Sequence, residues 1–328
     1  MKVHILDDWF DTLRQLPCFA KLSAHDVTVW TDHCEDIDQL ASRLAEAEAL
    51  VLFRERTKIT RALLERLPTL RLISQRGTYP HIDVEACTDN NILLCSKKPA
   101  GEPNYSAAEL TFNLMQTAMR GLPREMASLK AGTWQAGVGR NLRGKTLGLY
   151  GYGRIAKALA HYAEAFGMSI LWWASEEGRQ RAKADGQTVA TSREDFFARC
   201  DIISIHLRLS PETRGIITAK DLAAMKDRAL FVNTARAGLI EEGALLAGLE
   251  VGRPLMAAID VFDTEPLLDR QDPLLSHPNL IGTPHIGFVT EEEYELQFSD
   301  IFDQITAYAN GNPIHVINET VLTPRQEP

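Results

Sequence analysis

Little in this chain points to a covalent scaffold. The five cysteines among 328 residues, at 18, 34, 87, 95 and 200, are odd in number and include no C-x-x-C pair. That argues against a disulfide framework and against a zinc ribbon, so no metal is expected. No uninterrupted apolar run approaches the roughly 18 residues needed to cross a bilayer, and no membrane partner is expected. Positive charge is scarce as well: 35 Lys+Arg stand against 44 Asp+Glu, a net charge of −9. A general nucleic-acid binder needs a local basic excess, which this balance does not offer. Neither a repeat of 20–50 residues nor a low-complexity segment is evident. The opening Met1-Lys2-Val3-His4-Ile5-Leu6-Asp7-Asp8 reaches acid at once and has no signal-peptide apolar core. The expected setting is a reduced cytoplasm.

What the chain does have is the material of a folded protein, with 45% hydrophobic and 24% charged residues. At roughly 150 residues per domain its length suggests two domains. Short apolar runs at 2–6, 27–30, 49–53, 70–74 and 92–95 read as strands. Helical patterns lie between them at 37–47 and 59–67, the second stopped by Pro68. Lys97-Lys98-Pro99-Ala100-Gly101-Glu102-Pro103 breaks this rhythm as a domain boundary would. The stretch after it, with Leu110, Leu114, Met115, Ala118 and Met119 at spacings of three and four, reads as a helix crossing to the next domain. A second series of strands follows at 145–150, 170–173, 202–205, 229–232, 256–259 and 279–282. A last amphipathic helix at 291–310 presents Leu296, Phe298, Ile301, Phe302 and Ile305 for packing. Strand–helix alternation of this kind predicts an α/β fold with two parallel sheets.

The strand Leu147-Gly148-Leu149-Tyr150 runs straight into Gly151-Tyr152-Gly153-Arg154-Ile155-Ala156. This is the G-x-G-x-x-G/A dinucleotide pattern in its strand–turn–helix context. The first glycine permits the turn, the second admits a pyrophosphate to the backbone, and the small third residue lets helix and strand pack closely. Backbone N–H groups at the helix start then face the phosphates. The next strand leads into Ala174-Ser175-Glu176-Glu177-Gly178-Arg179-Gln180-Arg181, where a solvated charged loop is the alternative to a cofactor role for each residue. Ala174 or Ser175 holds the place where many dinucleotide folds carry a ribose-binding acid. Arg179 and Arg181 offer an alternative partner for a 2′-phosphate, which the two glutamates would repel. The reading is NAD, with NADP left open.

Three later segments each present a charged or polar residue just after a predicted buried strand. Asn233-Thr234-Ala235-Arg236 offers Arg236, Asp260-Val261-Phe262-Asp263-Thr264-Glu265-Pro266 offers Asp260 and Glu265, and Thr283-Pro284-His285 offers His285. Ligands of open parallel sheets lie beyond the carboxyl ends of the strands, so the three are expected to converge. The chemistry is coherent. Hydride transfer from an alcohol needs a near-neutral base, which histidine provides. A neighbouring carboxylate fixes the imidazole tautomer, and a guanidinium fork holds a substrate carboxylate.

With these motifs in hand, the chain resembles the D-2-hydroxyacid dehydrogenases, among them phosphoglycerate, glycerate and D-lactate dehydrogenases and glyoxylate reductases. The resemblance runs over nearly the whole length. It rests on Leu142–Gly148 leading into the glycine turn, on Val232–Arg236, on Asp260 through Glu265-Pro266 and on Thr283-Pro284-His285. It implies two doubly wound parallel-sheet domains, a Rossmann cofactor domain at 101–289 inserted into a discontinuous flavodoxin-like substrate domain at 1–100 and 290–328. It implies further that Arg236 binds the substrate carboxylate and carbonyl, that His285 is the acid/base and that Glu265 is its partner. Thr234, Ala235 and Asp260 would lie by the nicotinamide end of the cofactor, and Gly151, Tyr152, Gly153, Arg154, Ile155 and Ser175 along the remainder. His206 and Ser106 match positions that pass the cofactor or touch its phosphate, with packing or helix capping as the alternative for both. A 2-hydroxy or 2-oxo acid would be the small-molecule partner, and a homodimer the default assembly.

The chain also departs from the family. Gln75-Arg76-Gly77-Thr78-Tyr79-Pro80-His81-Ile82-Asp83 is one residue short of the usual G-x-G-x-D loop, with Pro80 at the usual Asp position. Gly77 is kept as a substrate-loop residue, and Arg54 is set beside it as one that reaches the cleft. Arg76 and Tyr79 are read as surface residues. Arg208 stands where proline is common, and Phe288 where a second glycine is frequent. A nucleotide-sensing corepressor without turnover remains the alternative function. Formate dehydrogenation is the weaker one, because that branch carries Gln where this chain has Glu265.

Overall fold

A computed structural model of the protein describes residues 1–98 and 105–322. Of the break expected at Lys97–Pro103, residues 99–103 lie outside them. The chain folds into two compact units, Met1–Glu102 with Thr290–Pro328, and Pro103–Val289.

The first unit holds five parallel strands: β1 (Lys2–Ile5), β2 (Asp26–Val29), β3 (Ala49–Val51), β4 (Leu72–Arg76) and β5 (Leu93–Lys97), in the order β2-β1-β3-β4-β5. Strand β4 ends two residues later than the apolar run suggests. Its last residue, Arg76, is buried rather than at the surface, with its guanidinium on Asp300 at 2.8 Å. The expected helix at 59–67 shrinks to Arg61–Leu64. Tyr79 packs partly buried against the core of Leu52, Ile59 and Ile73, which corrects its reading as a surface residue.

The helix Glu291–Ala309 lays Phe298, Ile301, Phe302 and Ile305 into this unit, with Phe298 4.9 Å from Phe53 and Phe302 edge-on to Phe19. Leu296, expected among the packing residues, is 39% exposed; Gln297 and Gln304 are buried in its stead. Beyond the helix the chain returns along β5, the edge of the sheet. His315 O accepts the Ser96 N–H, and Ile317 N–H donates to Leu94 O. Asn318 completes the cover: its Oδ1 accepts the Leu94 N–H at 2.8 Å and its Nδ2 donates to Ile92 O. An open strand edge is thereby satisfied by the chain's own distal segment.

The second unit contains β6 (Thr146–Tyr150), β7 (Ser169–Trp173), β8 (Ile202–Ile205), β9 (Leu230–Asn233), β10 (Met256–Ile259) and β11 (Leu280–Gly282). All are parallel, in the order β11-β10-β9-β8-β6-β7. Strands buried on both faces need no alternation with polar residues. Leu147, Leu149, Trp172 and Val232 fill one layer, and Leu171, Ile203, Phe231 and Ala257 the other. The helix Tyr105–Arg120 packs in the first of these layers through Phe112, Leu114, Met115 and Met119. It belongs to this unit throughout, which corrects its reading as a crossing between domains. Strand order reverses between β6 and β8, the position at which open α/β sheets leave a crevice for ligands. Among the described residues no helix is long and apolar enough to cross a membrane.

Replacing Asn318 with Ala strands the buried Leu94 N–H. The expected cost is about 1–3 kcal/mol, read as a lower midpoint in urea unfolding with an unchanged slope.

Candidate active site

The glycine turn follows β6 at the order reversal. Gly151 has φ +117°, donates its N–H to Trp173 O at 2.7 Å, and would drive a Cβ to 2.3 Å from the His206 carbonyl oxygen. No other residue type fits there. Gly153 caps the helix Arg154–Ala165 without a side chain, and nothing lies within 4 Å of the point where its Cβ would stand. An uncovered helix start beside open space, with Ala156 fully buried behind it, is the cradle a pyrophosphate requires. The residues present therefore fit a dinucleotide. Arg154 and Ile155 form the first turn of that helix. Tyr152 turns inward instead: its ring stands edge-on to Trp172 at 4.8 Å and its hydroxyl donates to Asp185 at 2.5 Å. Its side chain belongs to the core, which leaves only its backbone for the cofactor.

Ser175 caps the helix Glu176–Ala184, its hydroxyl accepting from Gly178 N–H. The stretch for which a charged loop is the alternative reading is thus a helix whose first turn is acidic. At the end of β8, His206 Nε2 lies 2.9 Å from Ser204 Oγ, and burial pushes the imidazole down to about 4. A neutral His206 packs behind the turn and shapes it with its carbonyl. Ser106 is the second residue of the helix Tyr105–Arg120 and is half-buried.

Beyond β9, Asn233 folds the chain into an Asx turn, its Oδ1 accepting Ala235 N–H and its Nδ2 donating to Arg236 O. The Thr111 hydroxyl donates to Ala107 O, so the 2.7 Å contact between Thr234 and Thr111 takes its proton from Thr234. Arg236 leaves this turn with Nη1 on Ala235 O at 2.7 Å.

Beyond β10, Asp260 is completely buried. Its carboxylate accepts Thr283 Oγ1–H at 2.6 Å and the N–H groups of Ile286 and Gly287 at 2.8 Å each. Burial raises its pKa, against those hydrogen bonds. Asp260 therefore pins the 283–287 loop. That loop holds His285 at φ +54°, a left-handed conformation that a non-glycine residue adopts only under constraint. His285 Nδ1 lies 2.5 Å from Glu265 Oε2, and Glu265 Oε1 accepts Phe262 N–H at 2.9 Å. Burial alone would push the Glu265 carboxyl up. The hydrogen bond and charge of His285, the Phe262 N–H and the charge of Arg236 outweigh it and hold the carboxyl below its ordinary range. With Nδ1 directed at a carboxylate, Nε2 is the nitrogen left to exchange a proton.

Gly77 and Arg54 belong to the first unit. Gly77 has φ +97° and open space at its Cβ position. Arg54 has φ +58° and reaches Gln297 Oε1 at 3.5 Å. Sequence reasoning missed Asn233 and Thr111, which hold the Arg236 loop. An Asn directly after a buried strand was the available signal for the first; nothing local marks the second. Among the described residues no cluster of His, Cys, Asp and Glu could hold a metal ion.

Comparison with known proteins agrees with this geometry. Residues 112–287 match the model of the D-isomer specific 2-hydroxyacid dehydrogenase NAD binding domain. A hydroxypyruvate reductase of Thermotoga maritima is 35% identical over 89% of this chain and 92% of its own. A D-3-phosphoglycerate dehydrogenase of Methanocaldococcus jannaschii is 38% identical over 84% of this chain but 52% of its own, so the chain spans about half the length of that relative. Among solved structures, a phosphoglycerate oxidoreductase of Vibrio cholerae superposes with a TM-score of 0.89 at 44% identity, covering 95% of this chain and 99% of that one. An oxidoreductase of Ralstonia solanacearum reaches 0.94 at 46%, covering 98% of each. The chain belongs to the D-isomer specific 2-hydroxyacid dehydrogenase family. The relatives named here are dehydrogenases and reductases, which favours that class over the corepressor alternative.

Gly151→Ala should weaken NADH binding at least tenfold and lower stability by about 1–3 kcal/mol. Fluorescence titration and a thermal melt check the two effects.

Proposed function

We propose that the protein interconverts a D-2-hydroxy acid and the corresponding 2-oxo acid, with 103–289 as the cofactor domain and the remainder as the substrate domain. The observation that carries this reading is the His285–Glu265 pair at 2.5 Å, in the same unit as the glycine turn and Arg236. The chemistry supplied by bound NAD is hydride donation or acceptance at the nicotinamide. Gly153, Arg154 and Ile155 would hold its phosphates through backbone N–H groups, Gly151, whose own N–H is taken by Trp173 O, would shape the turn beneath them, and Ser175 and Ser106 would lie along its path. Thr234, Ala235 and the Asp260-pinned loop would meet its nicotinamide end, and His206 supports the turn from behind.

In the reductive direction the guanidinium of Arg236 binds the substrate carboxylate in a fork and polarises the adjacent carbonyl. His285 would give the proton on Nε2 to the carbonyl oxygen of the 2-oxo acid. Glu265 keeps the Nδ1 proton in place and stabilises the imidazolium. Oxidation returns the hydroxyl proton to Nε2. Gly77 and Arg54 supply the substrate domain's contacts.

We assign the assembly as a homodimer. The helix Leu122–Lys130 buries no residue in its own chain and exposes Leu122, Met126 and Leu129, with Trp134 and Val138 exposed just beyond. A nine-residue helix is marginal without packing, and a second copy would cover this face. Four buried thiols, at 18, 87, 95 and 200, suit a cytoplasmic setting.

A panel of 2-oxo acids assayed with NADH should yield turnover. His285→Ala should reduce kcat by about 10²–10⁴-fold while NADH affinity is retained; near-normal turnover would remove His285 from the mechanism. Met126→Glu with Leu129→Glu should convert a dimer to a monomer in sedimentation velocity, and an unchanged mass would reject this interface.

A further inference from the structure

Resting on the cofactor reading above, the structure assigns the choice between NAD and NADP to Arg179, a guanidinium held at the cofactor's ribose end and masked there by Glu176. Strand β7 ends at Trp173, whose carbonyl accepts the Gly151 N–H, so the residues that follow it flank the phosphate turn. In dinucleotide folds this strand end meets the adenosine ribose, and a carboxylate commonly binds its hydroxyls. Neither residue at the end of β7 provides one. Ala174 is buried, and the Ser175 hydroxyl is engaged in capping the next helix.

The charged groups here are Arg179 and Glu176. Two contacts fix Arg179 at the strand end: its guanidinium lies over the Trp173 ring at 4.3 Å, and Nη1 donates to Ala174 O at 2.7 Å. The third contact is the ion pair of Nη2 with Glu176 Oε2. Glu176 is held in turn by Gln180, whose Nε2 donates to Oε1 at 3.1 Å. Arg181, two residues further along the helix, is exposed and faces Glu177 at 3.8 Å.

A guanidinium stacked on an aromatic ring and tied to a carbonyl is pre-organised to receive a phosphate. Glu176 occupies that function with a carboxylate. A 2′-phosphate approaching Arg179 must displace Glu176 and then sit beside it, a juxtaposition of like charges. NAD, which carries a hydroxyl at this position, meets neither obstacle. Selectivity for NAD thus arises from a neutralised arginine rather than from an acid on the ribose.

The test compares dissociation constants of NADH and NADPH by quenching of tryptophan fluorescence, a readout independent of turnover. The proteins compared are the unaltered chain, Glu176→Ala, Arg179→Ala and the double variant, with thermal midpoints confirming the fold. The unaltered chain should prefer NADH. Glu176→Ala should bind NADPH about tenfold more tightly, the gain expected for one charge-assisted hydrogen bond. Arg179→Ala in the Glu176→Ala background should remove that gain. Two outcomes overturn the proposal: no tightening in Glu176→Ala, or tightening that survives loss of Arg179, which would reduce Glu176 to simple repulsion. Failure of the unaltered chain to bind either nucleotide would instead overturn the cofactor reading, and the proposal with it.

Discussion

The arrangement beyond β10 depends on one buried carboxylate. An ionised group out of reach of water is tolerated only when donors surround it, and Asp260 receives a hydroxyl and two backbone N–H groups from a segment more than twenty residues away. Those bonds hold the backbone that sets His285 in its left-handed conformation. The imidazole then turns to Glu265, whose second oxygen returns to the backbone at Phe262, two residues past Asp260. The circuit closes on itself, and each member restricts the next. A histidine on an ordinary loop would sample several rotamers, whereas this one is fixed from backbone and side chain together.

Parallel strands supply the wider frame. They deliver their carboxyl ends to the same edge of a sheet, so residues far apart in sequence become neighbours with no need for long loops. Gly151, His206, Arg236 and Asp260 each stand within three residues of a strand end in the second unit. The two-sheet fold and these positions were legible because a buried parallel strand is an apolar run that stops abruptly, and the first polar residue after it is conspicuous.

Other features were not legible, and the reason is physical. Tyr152 reads as a cofactor residue by its place in the glycine pattern, yet its ring is drawn inward by Trp172 and Asp185. Arg76 reads as surface until Asp300, over two hundred residues later, supplies a counter-ion. Leu296 has the spacing of a core residue but falls on the outer flank of its helix, while Gln297 and Gln304 go inside because carbonyls and side chains of the first unit accept their N–H groups. Tyr152, Arg76 and Gln304 take partners that are remote in sequence and that no local pattern encodes, whereas Gln297 bonds Glu293 one turn earlier on its own helix. The acidic first turn after Ser175 is different: a Ser followed by two glutamates is a helix-start signal, and it was available.

The return of the chain along β5 has a bearing on biogenesis. The first unit needs residues near 301 for its core and Asn318 for its sheet edge, whereas the second unit is continuous from 103 to 289. During vectorial synthesis the earlier-made segment must wait with an unfinished core, while the inserted unit has all its strands before the ribosome reaches the last helix. The inserted unit is therefore the one free to fold first, and the segment translated first is completed last.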